Sequence, residues 1–286
     1  MKLLRLGEPG RERPVLLAPD GRHLDLAGVA GDLDRAFWLD RGPDRVRAAH
    51  EAGTLPEIPA EEAAALRVGA AVARPGKVVC IGLNYRDHAE ETGAAIPPRP
   101  VVFMKDPYTV VGPNDDILIP RGSVKTDWEV ELAVVIGKRA RYLASDADAL
   151  DAVGGFAVSN DVSEREFQLE RSPQWDLGKS CETFNPLGPW LVTADEVADC
   201  QNLGLRLSVN GRRRQDGSTK NMIFGVAETI RYLSQHMVLE PGDVVNTGTP
   251  AGVALGIEGN PYLRPGDTVE LAIDGLGTQR SKLVQA

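Results

Sequence analysis

From Pro75 onward the sequence is a succession of short β-type runs separated by Gly, Pro, Asn and Asp, and this spacing constrains the fold more than any other feature. The runs cover residues 77–81, 101–105, 117–119, 128–136, 155–159, 190–192, 203–209, 243–247 and 268–273. Asn210-Gly211 is a two-residue hairpin signal, because both residues tolerate the positive φ of such a turn. Pro241-Gly242-Asp243 and Pro265-Gly266-Asp267 repeat a turn signature that leads into a strand. Helical periodicity is sparse, at 84–91, 164–170 and 224–236. The spacing predicts a β-rich α+β fold, a barrel or rolled sandwich rather than alternating βαβ units. Ahead of it lie short apolar runs at 2–6 and 14–18, helical patterns at 32–39 and 44–51, and an alanine-rich helical stretch at 60–73. Arg74-Pro75-Gly76 then marks a boundary. We expect a small N-terminal α+β domain over 1–73 and a main domain over 74–286.

The chain of 286 residues carries 32 Lys and Arg against 41 Asp and Glu, a net charge of −9. It lacks the basic field that nucleic acids and anionic lipid surfaces require, so neither is an expected partner. The N-terminus has no apolar stretch of signal-peptide length, and no run approaches the roughly 20 residues that cross a bilayer. Cys80, Cys181 and Cys200 are odd in number and widely spaced, which argues against a disulfide framework or a zinc knuckle and makes the cytoplasm the expected location. G-x-x-x-x-G-K-[ST] and G-x-G-x-x-G loops in a strand-to-helix context are absent, which argues against nucleotide binding.

Chemistry concentrates in a few segments. In Asp127-Trp-Glu-Val-Glu-Leu-Ala-Val-Val-Ile-Gly137, read as a strand, Trp128, Val130, Leu132, Val134 and Ile136 share one face and Glu129, Glu131, Ala133 and Val135 the other. Both faces are largely apolar, so the two carboxylates, about 6.5 to 7 Å apart along the strand, are expected to be partly enclosed. Enclosed like charges need a cation or donors, and a shared metal answers that need; a surface pair near a strand end fits the same spacing. Asp161 ends an apolar run before a helical segment, as a third ligand or as a helix cap. Three carboxylates would select Mg²⁺ or Mn²⁺ over zinc, with positions left for water or substrate.

Of four histidines, His88 stands in a short helical pattern with Asn84 as its expected N-cap and with Glu91 one turn on. Glu91 could orient the imidazole as a base, or both could lie on a solvated helix face. Lys179, in a loop, suits a substrate carboxylate or plain solvation. The small residues of Thr247-Gly-Thr-Pro-Ala-Gly252, including Gly248 and Thr249, permit close backbone approach to a ligand. Arg212-Arg213-Arg214 reads as a solvated hairpin end.

The ordered segments IGLNYRDHAEE, DWEVELAVVIG, GFAVSNDVSEREFQ, GKSCETFNPLGPW and NTGTPAGV resemble the fumarylacetoacetate hydrolase family, over about residues 78–286. The resemblance implies a mixed β-roll behind a small N-terminal domain, usually as a homodimer. It places Glu129, Glu131 and Asp161 at the ligand positions of one Mg²⁺ or Mn²⁺ per subunit and His88 with Glu91 at a catalytic dyad on a lid. It places Lys179 at a catalytic and substrate-binding position, and Arg165, Gln168, Gly248 and Thr249 at substrate-binding positions. Glu182 departs from the Asp of many relatives. The short N-terminal region resembles the bacterial branch acting on acylpyruvates and 2,4-diketo-3-deoxy sugar acids. The implied reaction is metal-dependent hydrolysis of a C–C bond in a 2,4-diketo acid, giving pyruvate and a carboxylic acid. Oxaloacetate decarboxylation, isomerisation or hydration of a 2-oxo-enoic acid, and a non-catalytic metal- or ligand-binding role are the alternatives.

Overall fold

The short apolar runs assemble into two β-sheets that face one another across a shared core. The computed structural model describes residues 1–171 and 173–286. Among these, eleven strands form a mixed sheet in the order Glu57–Ile58, His23–Asp25, Arg13–Leu17, Lys2–Leu6, Asn185–Thr193, Val153–Asn160, Val130–Ile136, Val244–Asn246, Val78–Gly82 and Val101–Lys105, with Val110–Val111 beside Asn185–Thr193. A five-stranded sheet runs Arg212–Ser218, Gly204–Val209, Thr268–Ile273, Gly277–Gln285 and Ile117–Ile119. The architecture is the expected β-rich α+β roll. The Asn210-Gly211 turn joins two of these strands with φ of 49° and 74°, as a primed hairpin turn requires.

The strand Val130–Ile136 is buried throughout because each of its faces enters a different core. Trp128, Val130, Leu132, Val134 and Ile136 pack toward the five-stranded sheet and the helix Val226–His236, meeting Leu205, Leu271 and Ile230. Ala133 and Val135 join Trp38, Leu187 and Leu191 on the other side. Trp38, from the short helix Arg35–Leu39, seats its ring on Gly154, where a Cβ would come within 2.5 Å of it. The N-terminal segment is therefore the lid over one half of the odd-numbered face. Glu129 and Glu131 begin the other half, which it leaves uncovered.

The division at residues 73 and 74 does not interrupt hydrogen bonding: Lys2 pairs with Val192 and Leu3 with Leu191 in the large sheet. Several expected helices are shorter than their periodicity suggested. The stretch 60–73 is helical only over Ala60–Ala65; beyond it Gly69 N–H donates to Arg5 O and Ala71 N–H to Leu187 O, so tertiary pairing overrides alanine propensity. The helix at 84–91 is Arg86–Thr92, and Asn84 does not cap it: its amide bridges Phe224 and Thr247 instead. Lys179 lies on a short helix, Asp176–Lys179, rather than in a loop. Among the described residues no helix is long and apolar enough to cross a membrane.

Trp38→Ala should lower the unfolding free energy by about 3 to 5 kcal/mol, the usual cost of emptying a buried aromatic site. Because one sheet spans both segments, chemical denaturation followed by fluorescence and by circular dichroism should show a single coincident transition; two separated transitions would mean that residues 1–73 fold independently.

Candidate active site

The acidic cluster is built where the strand Val130–Ile136 meets the end of Val153–Asn160. Alternation along the chain sends Asp127, Glu129 and Glu131 to the same side. Glu129 N–H donates to Asn160 Oδ1 at 3.1 Å, and Asp161 N–H donates to Glu129 O at 2.9 Å, so the two segments hold their acids at a fixed separation. Asp161 does not cap the following helix; Glu164 does, accepting from Phe167 N–H. One oxygen from each of Glu129, Glu131 and Asp161 lies within 4.8 Å of the others, and all three residues are buried.

Three buried cations face these acids. Arg165 places Nε 2.8 Å from Asp127 Oδ2, Nη2 2.7 Å from Glu129 Oε1 and Nη1 3.0 Å from Gln168 Oε1. Lys179 Nζ bridges Glu129 Oε2 at 2.7 Å and Asp161 Oδ2 at 2.9 Å. Lys105, fully buried at the end of Val101–Lys105, donates to Asp161 Oδ1 and to Val162 O. Burial opposes the charge on Glu129, but Lys179 and Arg165 outweigh it and hold the carboxyl at about 2. Burial likewise opposes the charges of Lys179 and Arg165, and the acids beside them raise both above their ordinary values.

Glu131 is the exception. Among the described residues no cation lies within ion-pair distance of it; its partner is the N–H of Gly248, 2.8 Å from Oε2. Burial, then repulsion from Asp161 and Glu129, pushes its carboxyl well above the ordinary range. Four buried carboxylates thus meet three buried cations, and the uncompensated one belongs to the triad whose oxygens converge. That donor set, all oxygen and anionic, fits a hard divalent cation, which Glu129, Glu131 and Asp161 would hold.

Gly248 is fixed by this contact. Its φ is +96°, and a Cβ would meet Asn84 Cβ at 2.8 Å and Ile81 O at 3.0 Å, so only glycine brings its amide to Glu131. The adjoining Thr249 Oγ1 donates to Val130 O and accepts from Gln215 Nε2 at 2.8 Å.

Across a cavity of about 200 Å³ from the triad stands His88, on the helix Arg86–Thr92. Its Nδ1 is 3.6 Å from Glu91 Oε2, an ion-pair distance too long for a hydrogen bond, and has no hydrogen-bond partner. Glu91 is held from its other side: Gly252 N–H donates to both carboxylate oxygens at 3.0 Å. His88, Glu129, Glu131, Arg165, Gln168, Lys179 and Thr249 line this one cavity, with Glu91 behind His88 and Asp161 behind Lys179. Gly248 lies beneath Glu131. Neither the glutamates nor Lys179 are solvated, and His88 is turned inward. Sequence reasoning missed Asp127 and Lys105. The alternation that paired Glu129 with Glu131 extends back to Asp127 and could have found it. Lys105 gave no signal, since a lysine ending an apolar run reads as a solvated strand end.

Comparison with known proteins places this arrangement. The model of the fumarylacetoacetate (FAA) hydrolase C-terminal domain matches residues 77–284. A Burkholderia multivorans protein, named in general terms as a hydrolase, is 54% identical over 280 residues, covering 98% of this chain and 97% of that protein. Among solved structures, 2-hydroxyhepta-2,4-diene-1,7-dioate isomerase from Mycobacterium marinum is 32% identical with a TM-score of 0.75, covering 100% of this chain and 98% of that one. Maleylpyruvate hydrolase from Sphingobium sp. SYK-6, solved with manganese(II) and pyruvate, is 27% identical with a TM-score of 0.81, covering 100% of both chains. The cluster of acids at residues 129, 131 and 161 lies inside the matched region, and the chain belongs to the fumarylacetoacetate hydrolase family.

Proposed function

We propose that the chain is a divalent-cation-dependent hydrolase that cleaves a 2,4-diketo acid between C3 and C4, yielding pyruvate and a carboxylic acid. The observation that carries this reading is the convergence of three buried carboxylates, one without a counter-charge, beside a cavity that two of them line together with a histidine backed by a glutamate. The manganese(II) and pyruvate in the Sphingobium enzyme support it, since pyruvate is the product expected here. A cation bound by the triad would supply Lewis acidity toward the oxygens of a 2-oxo acid.

The protein's own groups account for the remaining steps. Glu91 lies on the Nδ1 side of His88 and favours a proton there, which leaves Nε2 to take a proton from water. The water oxygen bonds to C4, the C3–C4 bond breaks, and its electron pair passes into the departing pyruvate fragment as an enolate, protonated at C3 to give pyruvate. Lys179 and Arg165 lie where negative charge grows during this step and are already oriented by Glu129, Asp127 and Asp161. Gln168, fixed by Arg165 Nη1, adds an amide at the wall. The Mycobacterium marinum isomerase supports a second outcome of the same groups, proton transfer by His88 between the 2-hydroxyl and a carbon of the conjugated chain, without C–C cleavage.

His88→Gln should lower kcat for acetylpyruvate hydrolysis by about 10²- to 10⁴-fold while leaving Mn²⁺ affinity, read by calorimetry, unchanged. Unaltered turnover would remove His88 from the mechanism. EDTA should abolish pyruvate and acetate release, and Mg²⁺ or Mn²⁺ should restore it. Conversion of a 2-oxo-enoic acid with no diketo acid cleaved would favour the isomerase instead.

Glu131 yields a stability test. Its folded-state carboxyl holds its proton more tightly than in the unfolded chain, so the metal-free protein should lose stability as pH rises above the ordinary value of 4.5. A bound cation should remove that loss. In Glu131→Gln the metal-free melting temperature at neutral pH should match or exceed the parent's, while the stabilisation by Mn²⁺ disappears; a variant still stabilised by Mn²⁺ would exclude Glu131 as a ligand.

A further inference from the structure

Much of the remaining cavity lining is apolar, from Leu83, Phe103, Leu169, Trp175 and Leu255. Phe103 and Leu255 adjoin the charged cluster, through Lys179 Nζ at 5.0 Å from the Phe103 ring and Leu255 N–H at 3.1 Å from Asp127 Oδ2. Trp175 is fixed there: its ring packs at 63° and 5.4 Å against Phe103 and rests on Gly82, where a Cβ would come within 2.4 Å of it. Apart from His88 and Gln168 Nε2, the hydrogen-bonding side chains of the lining are already engaged. Arg165 serves Asp127, Glu129 and Gln168, and Lys179 serves Glu129 and Asp161. Thr249 Oγ1 is committed to Val130 O, and Thr92 Oγ1 to His88 O. Gln168 Oε1 accepts from Arg165, and its Nε2 has no partner among the described residues.

Charge and volume then restrict the occupant. Asp127, Glu129, Glu131 and Asp161 exceed Lys105, Arg165 and Lys179 by one negative charge. A divalent cation reverses that by one unit, and the first carboxylate of a 2-oxo acid restores neutrality. A second carboxylate would lie among leucine and tryptophan, with the lysine and arginine of the lining already paired, a costly arrangement. The cavity of about 200 Å³ is also below the roughly 300 Å³ at which pockets for drug-sized ligands begin, so little room remains beyond the diketo acid head.

We infer that the substrate's distal part is a short uncharged acyl group, of about two or three carbons, carrying at most one hydroxyl or carbonyl oxygen within reach of Gln168 Nε2. This excludes a second carboxylate, an aromatic ring and an extended polyol. It rests on the assignment of the cavity as a 2-oxo acid site, so its test reads binding and not bond cleavage.

2-Oxopentanoate and 2-oxoglutarate share a chain length and differ in the terminal carboxylate. Titrated calorimetrically into Mg²⁺-loaded protein, 2-oxopentanoate should bind at least about tenfold more tightly. Equal or reversed affinities would overturn the inference, as would failure of both to bind. Leu169→Arg, at a half-exposed position of the wall, should raise affinity for 2-oxoglutarate selectively, by about tenfold; no change would show that this wall does not face the distal group. If 2-oxopentanoate is preferred but no diketo acid is cleaved, the inference stands and the hydrolase reading falls. If maleylpyruvate is cleaved as fast as acetylpyruvate, the hydrolase reading stands and the inference falls.

Discussion

Four carboxylates buried against three cations, where two strand ends meet, set the terms for everything around them. Two of the acids are neutralised twice over: Glu129 by Arg165 and Lys179, Asp161 by Lys179 and Lys105. Glu131 is left with one backbone amide. The imbalance is local and directional, and it leaves an otherwise closed salt-bridge network with one acid whose charge a hard cation would balance. The cost of enclosing it falls on the surrounding fold. Gly248 must take a backbone conformation open to glycine, Asn84 must leave the helix it precedes, and a strand and two later helices must each deliver a cation.

Much of this was legible in the sequence because strand geometry is strict. A period of two residues put Glu129 and Glu131 on a single face, and the apolar residues around them showed that the face is covered. His88 and Glu91 were legible for the analogous helical reason. Local rules failed where distant partners competed with them. Asn84 looked like a helix cap, yet Phe224 lies 140 positions away and offers its amide both a donor and an acceptor. Alanines at 66–73 favour a helix, yet Arg5 and Leu187 draw that backbone into extended pairing. Lys105 is the extreme case, since nothing around it in sequence announces Asp161 as its partner.

The N-terminal segment has a double role in this arrangement. Trp38 and its neighbours cover Ala133 and Val135, so the central strand can be apolar on both faces without exposing either. Where that cover stops, the same face becomes the floor of the cavity. The segment therefore bounds the cavity without contributing a lining residue to it, and the apolar lining comes from the family-matched residues 77–284.

The pairing of Lys2–Leu6 with Asn185–Thr193 also has a consequence for how the chain is made. The strand Lys2–Leu6 has its partner nearly two hundred residues downstream. At about 5 to 20 residues per second, its outer edge waits on the order of ten to forty seconds before the matching strand emerges. During that interval the early hairpin presents unpaired amides and the apolar side chains of Leu3 and Leu4, one on each face, to the cellular milieu. The large sheet is thus closed late in synthesis, which makes this protein's biogenesis a matter of protecting the strand Lys2–Leu6 until Asn185–Thr193 arrives.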